Sequence, residues 1–350
     1  MKRRVNTLVL GAIPVVALAA LVTLDHIPGT DIDLTVPYAA EGPGPTVNTL
    51  GDVDGKPVVN VSGTEIHKTT GNLNMTTVSV RTHLTLGQAL GRWLIAHDTL
   101  VPIEQIFPQG KTPEEVDEVN KAAFSTSEAS ATIAAMNQLH KPVDTVVAHI
   151  SPEAPAAKAL TEGDAITHVA GANATGPRHV RPSVRAKKPG ETISIGFLRD
   201  GKQLTREVTL GTHPEDDKVA FLGVSMTARP ADGITVDYNL EDIGGPSAGL
   251  IFSLAVVDKL SPDEINGGKF VAGTGTIDDD GTVGPIGGIR HKVRAARDAG
   301  AEVFLSPEKN CSEALKGKPG DMVVISVDSL SDAIHQLDNF KAGKEVKTCS

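Results

Sequence analysis

A serine in a turn rich in glycine and proline has surroundings that suit covalent chemistry. Ser247 lies in GGPSAGLIFSL (residues 244–254), where two glycines and a proline precede an apolar run. Apolar residues at i+3, i+4 and i+7 place its hydroxyl on the inward face of a helix predicted over residues 246–260. A serine hydroxyl is a weak nucleophile and needs a neighbouring base. The stretch therefore predicts a nucleophile if a base can reach it, and a serine that only begins a helix is the alternative.

A lysine further along the chain can supply that base. Lys292 lies on the apolar stripe of a basic helix predicted over residues 288–300, whereas the arginines of the same helix face solvent. Burial lowers the pKa of a lysine, and a neutral amine beside a serine forms a Ser–Lys dyad. A lysine that extends from a partly apolar face into water is the alternative. His291 is predicted to point away from the stripe, and no histidine is assigned a catalytic role.

The elements around these residues alternate between strands and helices, which is typical of an α/β domain. From Thr235 onward the pattern predicts strands near 269–277, 302–307 and 322–327, and helices over 246–260, 288–300 and 330–337. Earlier stretches predict a β-hairpin from residues 58–61 and 73–80, a helix over 84–100, and a further helix capped by Thr112.

The N-terminus has the pattern of a membrane anchor. Basic residues at positions 2–4 precede an uncharged, apolar-rich run over residues 5–24. As a helix this run would be roughly 30 Å long, close to the thickness of the hydrocarbon core. The positive flank predicts a single-pass anchor with the body outside the cytoplasmic membrane. A signal peptide cleaved near Ala17–Leu18–Ala19 is the competing interpretation.

Composition and charge narrow the function classes. The net charge of −10 argues against a nucleic-acid partner, which needs clustered Lys and Arg. No cofactor is expected. The acidic run at residues 278–280 has the pattern of a solvated turn, with a metal site as the alternative, so no metal is expected either. Cys311 and Cys349 are the two cysteines, and in an exported protein they are predicted to form a disulfide. Two free thiols are the alternative.

A stretch of short strands and glycine turns begins near residue 142. Gly163–Asp164–Ala165–Ile166 is followed by Pro189–Gly190 and by Arg199–Asp200–Gly201, with each glycine where a tight turn needs positive φ. This stretch resembles a PDZ domain of the bacterial, protease-associated type. The resemblance implies capture of extended peptides at a sheet edge. The carboxylate-binding loop is expected just before the opening strand, where NQLHKPVD has no suitable glycine pattern.

The motifs around the dyad occur in a recognisable order. GGPSAG is followed by Thr274–Gly275, the turn VGPIGG (residues 283–288), the helix with Lys292, and a strand that leads to Asn310. This order resembles the proteolytic domain of Lon-type (S16) serine proteases. The resemblance implies that Ser247 is the nucleophile, Lys292 the general base, and Thr274 a residue that holds the lysine amine.

Two residues beside the nucleophile complete the candidate site. Gly245 and Ala248, together with Thr274, are expected either to stabilise the oxyanion or to orient the lysine. Gly245 stands where the bacterial cytoplasmic form has an aspartate, a departure from the family pattern. The amide of Ser247 and one from a neighbouring strand are the expected oxyanion donors.

The order of segments resembles membrane-anchored PDZ–Lon proteases of Gram-positive and actinobacterial type. The fold is accordingly expected to be an α/β (α+β) Lon-type domain with an inserted, mainly-β PDZ domain and an N-terminal transmembrane helix. The domains are expected at 1–25 (anchor), 26–56 (linker), 57–140 (early Lon-type elements), 141–212 (PDZ) and 213–342 (Lon-type, with the dyad).

These domains together predict an ATP-independent serine endopeptidase. The sequence contains no GxxxxGK[ST] phosphate loop, so unfolded or extended protein segments are the expected substrates. The resemblance also implies a homo-oligomer, such as a hexameric ring. A catalytically silent, exported PDZ scaffold that binds peptides is the alternative function.

Overall fold

A computed structural model describes residues 2–174, 176–240 and 243–349, with the side chains of residues 2–10, 17, 178 and 179 left out. The α-helices are α1 (Lys2–Thr23), α2 (Leu86–Leu94), α3 (Ile103–Ile106), α4 (Pro113–Gln138), α5 (Pro177–Arg185), α6 (Gly249–Leu260), α7 (Ile289–Asp298), α8 (Cys311–Ala314) and α9 (Leu330–Lys341). Short 3-10 helices cover Pro155–Lys158, Glu308–Asn310 and Leu315–Gly317.

The strands lie in several sheets. They are β1 (Tyr38–Asn48), β2 (Asp52–Val53), β3 (Lys56–Pro57), β4 (Val59–Ser62), β5 (Asn72–Arg81), β6 (Thr99–Pro102), β7 (Val143–Ile150), β8 (Ala165–Val169), β9 (Ala172–Asn173), β10 (Thr192–Arg199), β11 (Lys202–Thr209), β12 (Gly211–His213), β13 (Asp216–Phe221), β14 (Val224–Pro230), β15 (Thr235–Tyr238), β16 (Phe270–Gly273), β17 (Thr276–Ile277), β18 (Val283–Gly284), β19 (Val303–Pro307) and β20 (Val323–Val327).

The larger domain is built on a six-stranded mixed sheet in the order β20-β19-β16-β5-β1-β6. The strands β20, β19, β16 and β5 run parallel, and β1 and β6 add to this row in antiparallel fashion. Apolar residues on one side of the sheet pack against α4, α6 and α9, and those on the other side pack against α7 and α8. Helices on both faces leave the carboxyl ends of the parallel strands as an open edge where a site can form.

The second domain has its own sheet, in the order β11-β10-β8-β7-β14, and its own apolar core. The turn signals quoted from the sequence are confirmed, since Gly163, Gly190 and Gly201 all have positive φ. Asp164 is buried after the first of these turns and pairs with Arg199 at 2.7 Å. Although burial raises the pKa of Asp164, hydrogen bonds from Arg199 and Thr161 hold it below its ordinary value.

Helix α4 connects the two domains. Its capping box, from Thr112 to Glu115, is confirmed. The helix packs along α6, and its C-terminal part also contacts β7 and β14 of the smaller domain. The first strand of that sheet begins five residues after α4 ends, at Val143.

The predicted hairpin is wrong. Strand β4 pairs with β15, with Val61 opposite Val236, whereas β5 lies in the main sheet between β1 and β16. The local pattern identified both strands, but their partners come from distant parts of the chain. Periodicity along one segment does not contain that information.

The predicted linker over residues 26–56 is wrong from residue 38 onward, because β1 is an internal strand of the main sheet, between β5 and the edge strand β6. Its Gly–Pro pairs are accommodated by a register shift between Pro43 and Thr46. Gly42 is required there because a Cβ would come within 2.5 Å of Oδ1 of the buried Asp98. The composition that indicated a linker therefore reflects close packing of the backbone.

Two further boundaries differ from expectation. The helix predicted over 84–100 ends at Leu94, and the chain then forms β6. The smaller sheet continues past the predicted boundary at 212, because β14 pairs with β7 from Val224 to Pro230.

Helix α1 lies where the membrane anchor is predicted. Within the described residues, however, no helix combines the length and the apolar character needed to cross a bilayer.

Candidate active site and peptide groove

Ser247 lies in the turn that leads into α6. The helix begins at Gly249, so the predicted start at residue 246 is early and Pro246 lies outside the helix. Gly249 is required at the helix start because a Cβ would meet Ile277 and the Ser127 hydroxyl. Gly245 has a φ of +87°, and no atom lies within 4 Å of where its Cβ would be. The nucleophile turn is therefore tightly packed on its helix side and open at Gly245.

Hydrogen bonds from two directions fix the backbone of this turn. On one side, the amide of Gly245 donates to the Asn120 carbonyl at 2.9 Å, and the Ser127 hydroxyl donates to the Pro246 carbonyl at 3.0 Å. On the other side, the Gly275 amide donates to the Ser247 carbonyl at 2.9 Å. Asn120 and Ser127 were not predicted from the sequence, because a small polar residue inside a helix gives no signal of its tertiary partner.

Lys292 reaches the serine from α7, on the opposite face of the sheet. The lysine is 2% exposed, and its Nζ donates to Ser247 Oγ at 2.7 Å and to Thr274 Oγ1 at 3.0 Å. Thr274 is fully buried just beyond the end of β16, and its hydroxyl donates to the Ser247 carbonyl at 2.9 Å. The structure thus brings the three residues together at the carboxyl end of a parallel strand.

The turn before α7 fixes the position of the lysine. Asn310 accepts a hydrogen bond from the Ile286 amide and donates to the Ile286 carbonyl, both at 2.9 Å. Gly288, the N-cap of α7, has a φ of +66° and packs against Val78. Asn310 belongs to the motif order quoted from the sequence, but its positioning contact becomes evident only in the structure.

Burial lowers the pKa of Lys292 from 10.5 to about 7. Among the described residues, no carboxylate forms an ion pair with this amine that would restore its charge. An ammonium loses hydration when it is buried, and the neutral form is favoured in consequence. The lysine can therefore accept a proton near neutral pH, which an exposed lysine cannot do efficiently.

Ala248 and the oxyanion donors lie beside the serine. Ala248 is buried, and neither its amide nor that of Ser247 finds a backbone acceptor in the part of the chain that the structure describes. Amides without an acceptor beside a nucleophile can stabilise the charge of a tetrahedral oxyanion. The amide of Ser247 was expected in this position, and that of Ala248 is adjacent to it.

The prediction for His291 is wrong. The ring is 1% exposed, and its Nε2 hydrogen-bonds to Thr99 Oγ1 at 2.7 Å. Burial lowers the pKa of His291 to about 4, so the ring is neutral near pH 7. A helix packed on a sheet buries a wider face than its apolar stripe, which explains the difference. The histidine ties α7 to β6 and does not contact the dyad.

The two cysteines and the acidic residues were the remaining candidates from the sequence. Cys311 and Cys349 form a disulfide, which holds the C-terminal segment against β20 together with the bond from the Cys349 amide to the Val324 carbonyl. Among the residues described, no group of three or more His, Cys, Asp or Glu side chains is placed to hold a metal ion.

A second candidate site lies in the smaller domain. A groove of about 430 Å³ separates α5 from the strand β14, which forms an edge of its sheet. Apolar side chains from both walls line it, namely Val180, Val184, Leu222, Val224 and Met226. An edge strand offers unpaired backbone groups to which an extended peptide can add.

The loop that precedes β14 presents two backbone amides to the groove. Among the described residues, the amides of Leu222 and Gly223 have no backbone acceptor. Gly223 has a φ of +75°, and a Cβ there would collide with Ala154. The carboxylate loop was expected just before the opening strand β7, but the amides of Leu139, His140 and Lys141 there already donate to backbone carbonyls. The structure instead provides the amides of Leu222 and Gly223, which the predicted boundary at 212 had left outside the domain.

Comparison with known families identifies two domains, although the match to the smaller one ends before the loop at residues 222–224 and strand β14. Residues 122–210 match the model of the PDZ domain, and residues 242–337 match that of the Lon protease (S16) C-terminal proteolytic domain. The second match contains Ser247, Thr274 and Lys292. The class defined by the fold and the dyad is that of a serine peptidase. More particularly, the chain contains a Lon-type S16 peptidase domain together with a PDZ domain.

Individual relatives cover parts of the chain. This chain is 36% identical to the Lon protease of Campylobacter concisus over a stretch that covers 41% of this chain and 19% of that protein. It is 26% identical to the archaeal Lon protease of Archaeoglobus fulgidus over 46% of this chain and 25% of that protein. The chain thus spans a quarter or less of the length of these relatives. The PDZ domain of an SdrC-like protein from Listeria monocytogenes is 21% identical over 24% of this chain and 86% of that chain, with a TM-score of 0.22.

Proposed function

We propose that this chain is a serine endopeptidase that hydrolyses peptide bonds in unfolded or extended protein segments without ATP. The observation that carries the proposal is the 2.7 Å hydrogen bond from Lys292 Nζ to Ser247 Oγ in a buried site. With the amine neutral, Lys292 is a general base directly on the nucleophile, an established variant of triad chemistry.

The reaction follows from the contacts of the dyad. Lys292 takes the proton of Ser247 as Oγ attacks the peptide carbonyl, and it returns that proton to the leaving amine. Water then attacks the acyl-enzyme with Lys292 again as the base, and this step releases the acid and restores the hydroxyl. Thr274 accepts a hydrogen bond from Nζ and keeps the amine aimed at Oγ. Amides at Ser247 and Ala248 stabilise the oxyanion, each by about 3 kcal/mol.

Nothing in this cycle requires a nucleotide, which supports the ATP-independent form of the proposal. The open side of the nucleophile turn at Gly245 suits an extended backbone, since a folded surface could not approach a half-buried hydroxyl. The groove between α5 and β14 would capture peptide segments for the same enzyme, with the main chain paired to β14 and a terminal carboxylate held by Leu222 and Gly223.

We further propose that the body works outside the cytoplasmic membrane as a membrane-anchored protein of the Gram-positive or actinobacterial type. The Cys311–Cys349 disulfide supports an oxidising compartment. The anchor and its orientation rest on the sequence pattern of residues 2–24 alone. Alkaline extraction of membranes, followed by immunoblotting, tests the anchor. The homo-oligomer implied by the family resemblance is tested by light scattering of the purified chain.

The proposed activity is tested by incubating the purified chain with an unfolded, fluorescently labelled protein in ATP-free buffer. We expect cleavage by the wild type and none by Ser247→Ala. Equal cleavage by both would overturn the proposal. If neither cleaves but both bind peptides, the chain is a catalytically silent scaffold.

A further inference from the structure

The helix wall of the groove carries two arginines at helical spacing. Arg181 and Arg185 both line the groove and lie four residues apart on α5, so they share one face of the helix. Each directly follows a buried valine, Val180 at 1% and Val184 at 7% exposure. The valines therefore form the floor of the groove, and the exposed arginines form its rim.

The guanidinium groups of these arginines have no carboxylate partner among the described residues. Other arginines of the same domain do, since Arg199 pairs with Asp164 at 2.7 Å and Arg229 pairs with Asp144 at 3.5 Å. The chain as a whole has a net charge of −10. Two positive charges without a carboxylate partner on one wall of the groove therefore contrast with the negative charge of the chain as a whole, and guanidinium groups suit carboxylates geometrically.

The opposite wall specifies the form of the ligand. Strand β14 offers its outer edge, and the Leu222 and Gly223 amides at its start have no backbone acceptor in the described chain. An extended peptide that adds to β14 would run between this strand and α5, with one end at the Leu222 and Gly223 amides. Its side chains would alternate between the valine floor and solvent. Side chains of such a peptide that point toward α5 would face the two arginines.

We propose that the groove selects C-terminal peptide segments that carry aspartate or glutamate among their last few residues. The terminal carboxylate would be held by the Leu222–Gly223 amides, and the acidic side chains would pair with Arg181 and Arg185. This inference rests on the proposal that the groove takes peptides, and it adds the chemical class of the peptide. An acidic terminus would thus be the feature by which substrates are recruited to the serine.

The test uses the full chain with Ser247→Ala, so that bound peptides are not cut. Fluorescein-labelled ten-residue peptides are compared by anisotropy: one with acidic residues in the last four positions, one with the matching amides, and the acidic peptide with an amidated terminus. We expect the acidic peptide to bind three- to tenfold tighter at low salt than the peptide with asparagine or glutamine in place of the acidic residues. This difference should shrink at about 0.5 M salt. Amidation of the terminus is expected to weaken binding at least tenfold.

Charge-reversed variants assign the effect to these residues. Arg181→Glu with Arg185→Glu should remove or invert the preference for the acidic peptide. Lys202→Glu with Arg206→Glu, at two exposed residues of β11 on the opposite edge of the sheet, is the matched control and should leave the preference unchanged. Circular dichroism confirms that each variant is folded.

Three outcomes would overturn the inference: equal binding of the acidic and amide peptides, an unchanged preference in the double variant, or no binding of any peptide. The last outcome also removes the groove from the proposed function. It leaves the peptidase proposal standing if the wild type still cleaves unfolded protein.

Discussion

The pH dependence of turnover follows directly from the burial of Lys292. The lysine must be neutral to accept the serine proton, and burial lowers its pKa to about 7. At pH 5 only about 1% of the amine is then neutral, at pH 7 about half, and at pH 9 nearly all. We therefore expect kcat/KM to rise roughly fiftyfold between pH 5 and pH 7 and to level off above pH 8.

The magnitude separates this account from one with an ordinary lysine. With a pKa of 10.5, only about 0.03% of the amine would be neutral at pH 7, and activity would still rise tenfold per unit at pH 9. Burial in the site thus increases the competent fraction at pH 7 roughly a thousandfold. The assay is initial-rate cleavage of a fluorogenic peptide from pH 5 to 10, with circular dichroism at each pH to exclude unfolding.

A second group in the domain titrates in the same range and must be separated from the lysine. Burial raises the pKa of Glu128 to about 7, and Glu128 follows Ser127, which holds the nucleophile turn. The variant Glu128→Gln removes this titration and keeps the shape of the side chain. The reasoning predicts that the limb near pH 7 persists in this variant. Two results would refute the assignment of this titration to Lys292. The first is a rise in kcat/KM centred near pH 10 in the wild type, and the second is loss of the rise near pH 7 in Glu128→Gln.

Further outcomes follow from the contacts around the site and the disulfide. Thr274→Val should lower kcat ten- to a hundredfold, because it removes the hydroxyl that accepts a hydrogen bond from the lysine amine. Thr274→Ser keeps the hydroxyl and should remain near wild type in the same assay. Equal rates for the wild type and both variants would contradict the role of the hydroxyl. Replacing Cys311 and Cys349 by serine removes a disulfide between residues that are 38 positions apart in the sequence. Urea denaturation should then show a loss of roughly 2–4 kcal/mol in the free energy of unfolding. No loss would mean that the two thiols are unpaired in the wild type.

The dyad could be predicted from the sequence because helical periodicity permitted it and the order of the motifs resembles that of Lon-type domains. Helical periodicity placed Lys292 on the apolar stripe, and the order of short motifs connected it to Ser247 and Thr274. The same periodicity failed for His291, because it assigns a residue to a helix face but does not report how much of that face the sheet covers.

What could not be predicted depends on distant partners. Strands β4 and β5 were recognised as strands, but their pairing with β15 and β16 is a tertiary property. The Gly–Pro segment of β1 has a composition typical of linkers, and only its packing against Asp98 shows why glycine is needed. The carboxylate loop was sought before β7 because the contribution of β14 to that sheet is not visible locally.

The central claim is that Lys292 activates Ser247, and covalent labelling tests it most directly. The purified chain is treated with a serine-reactive phosphonate near pH 8, and the modified residue is located by mass spectrometry. We predict a single adduct on Ser247 in the wild type, formed at least a hundredfold more slowly in Lys292→Arg, because a guanidinium cannot give up its proton. Labelling of Ser247 at the same rate in both proteins, or no adduct on Ser247 in a folded wild type, would contradict the account.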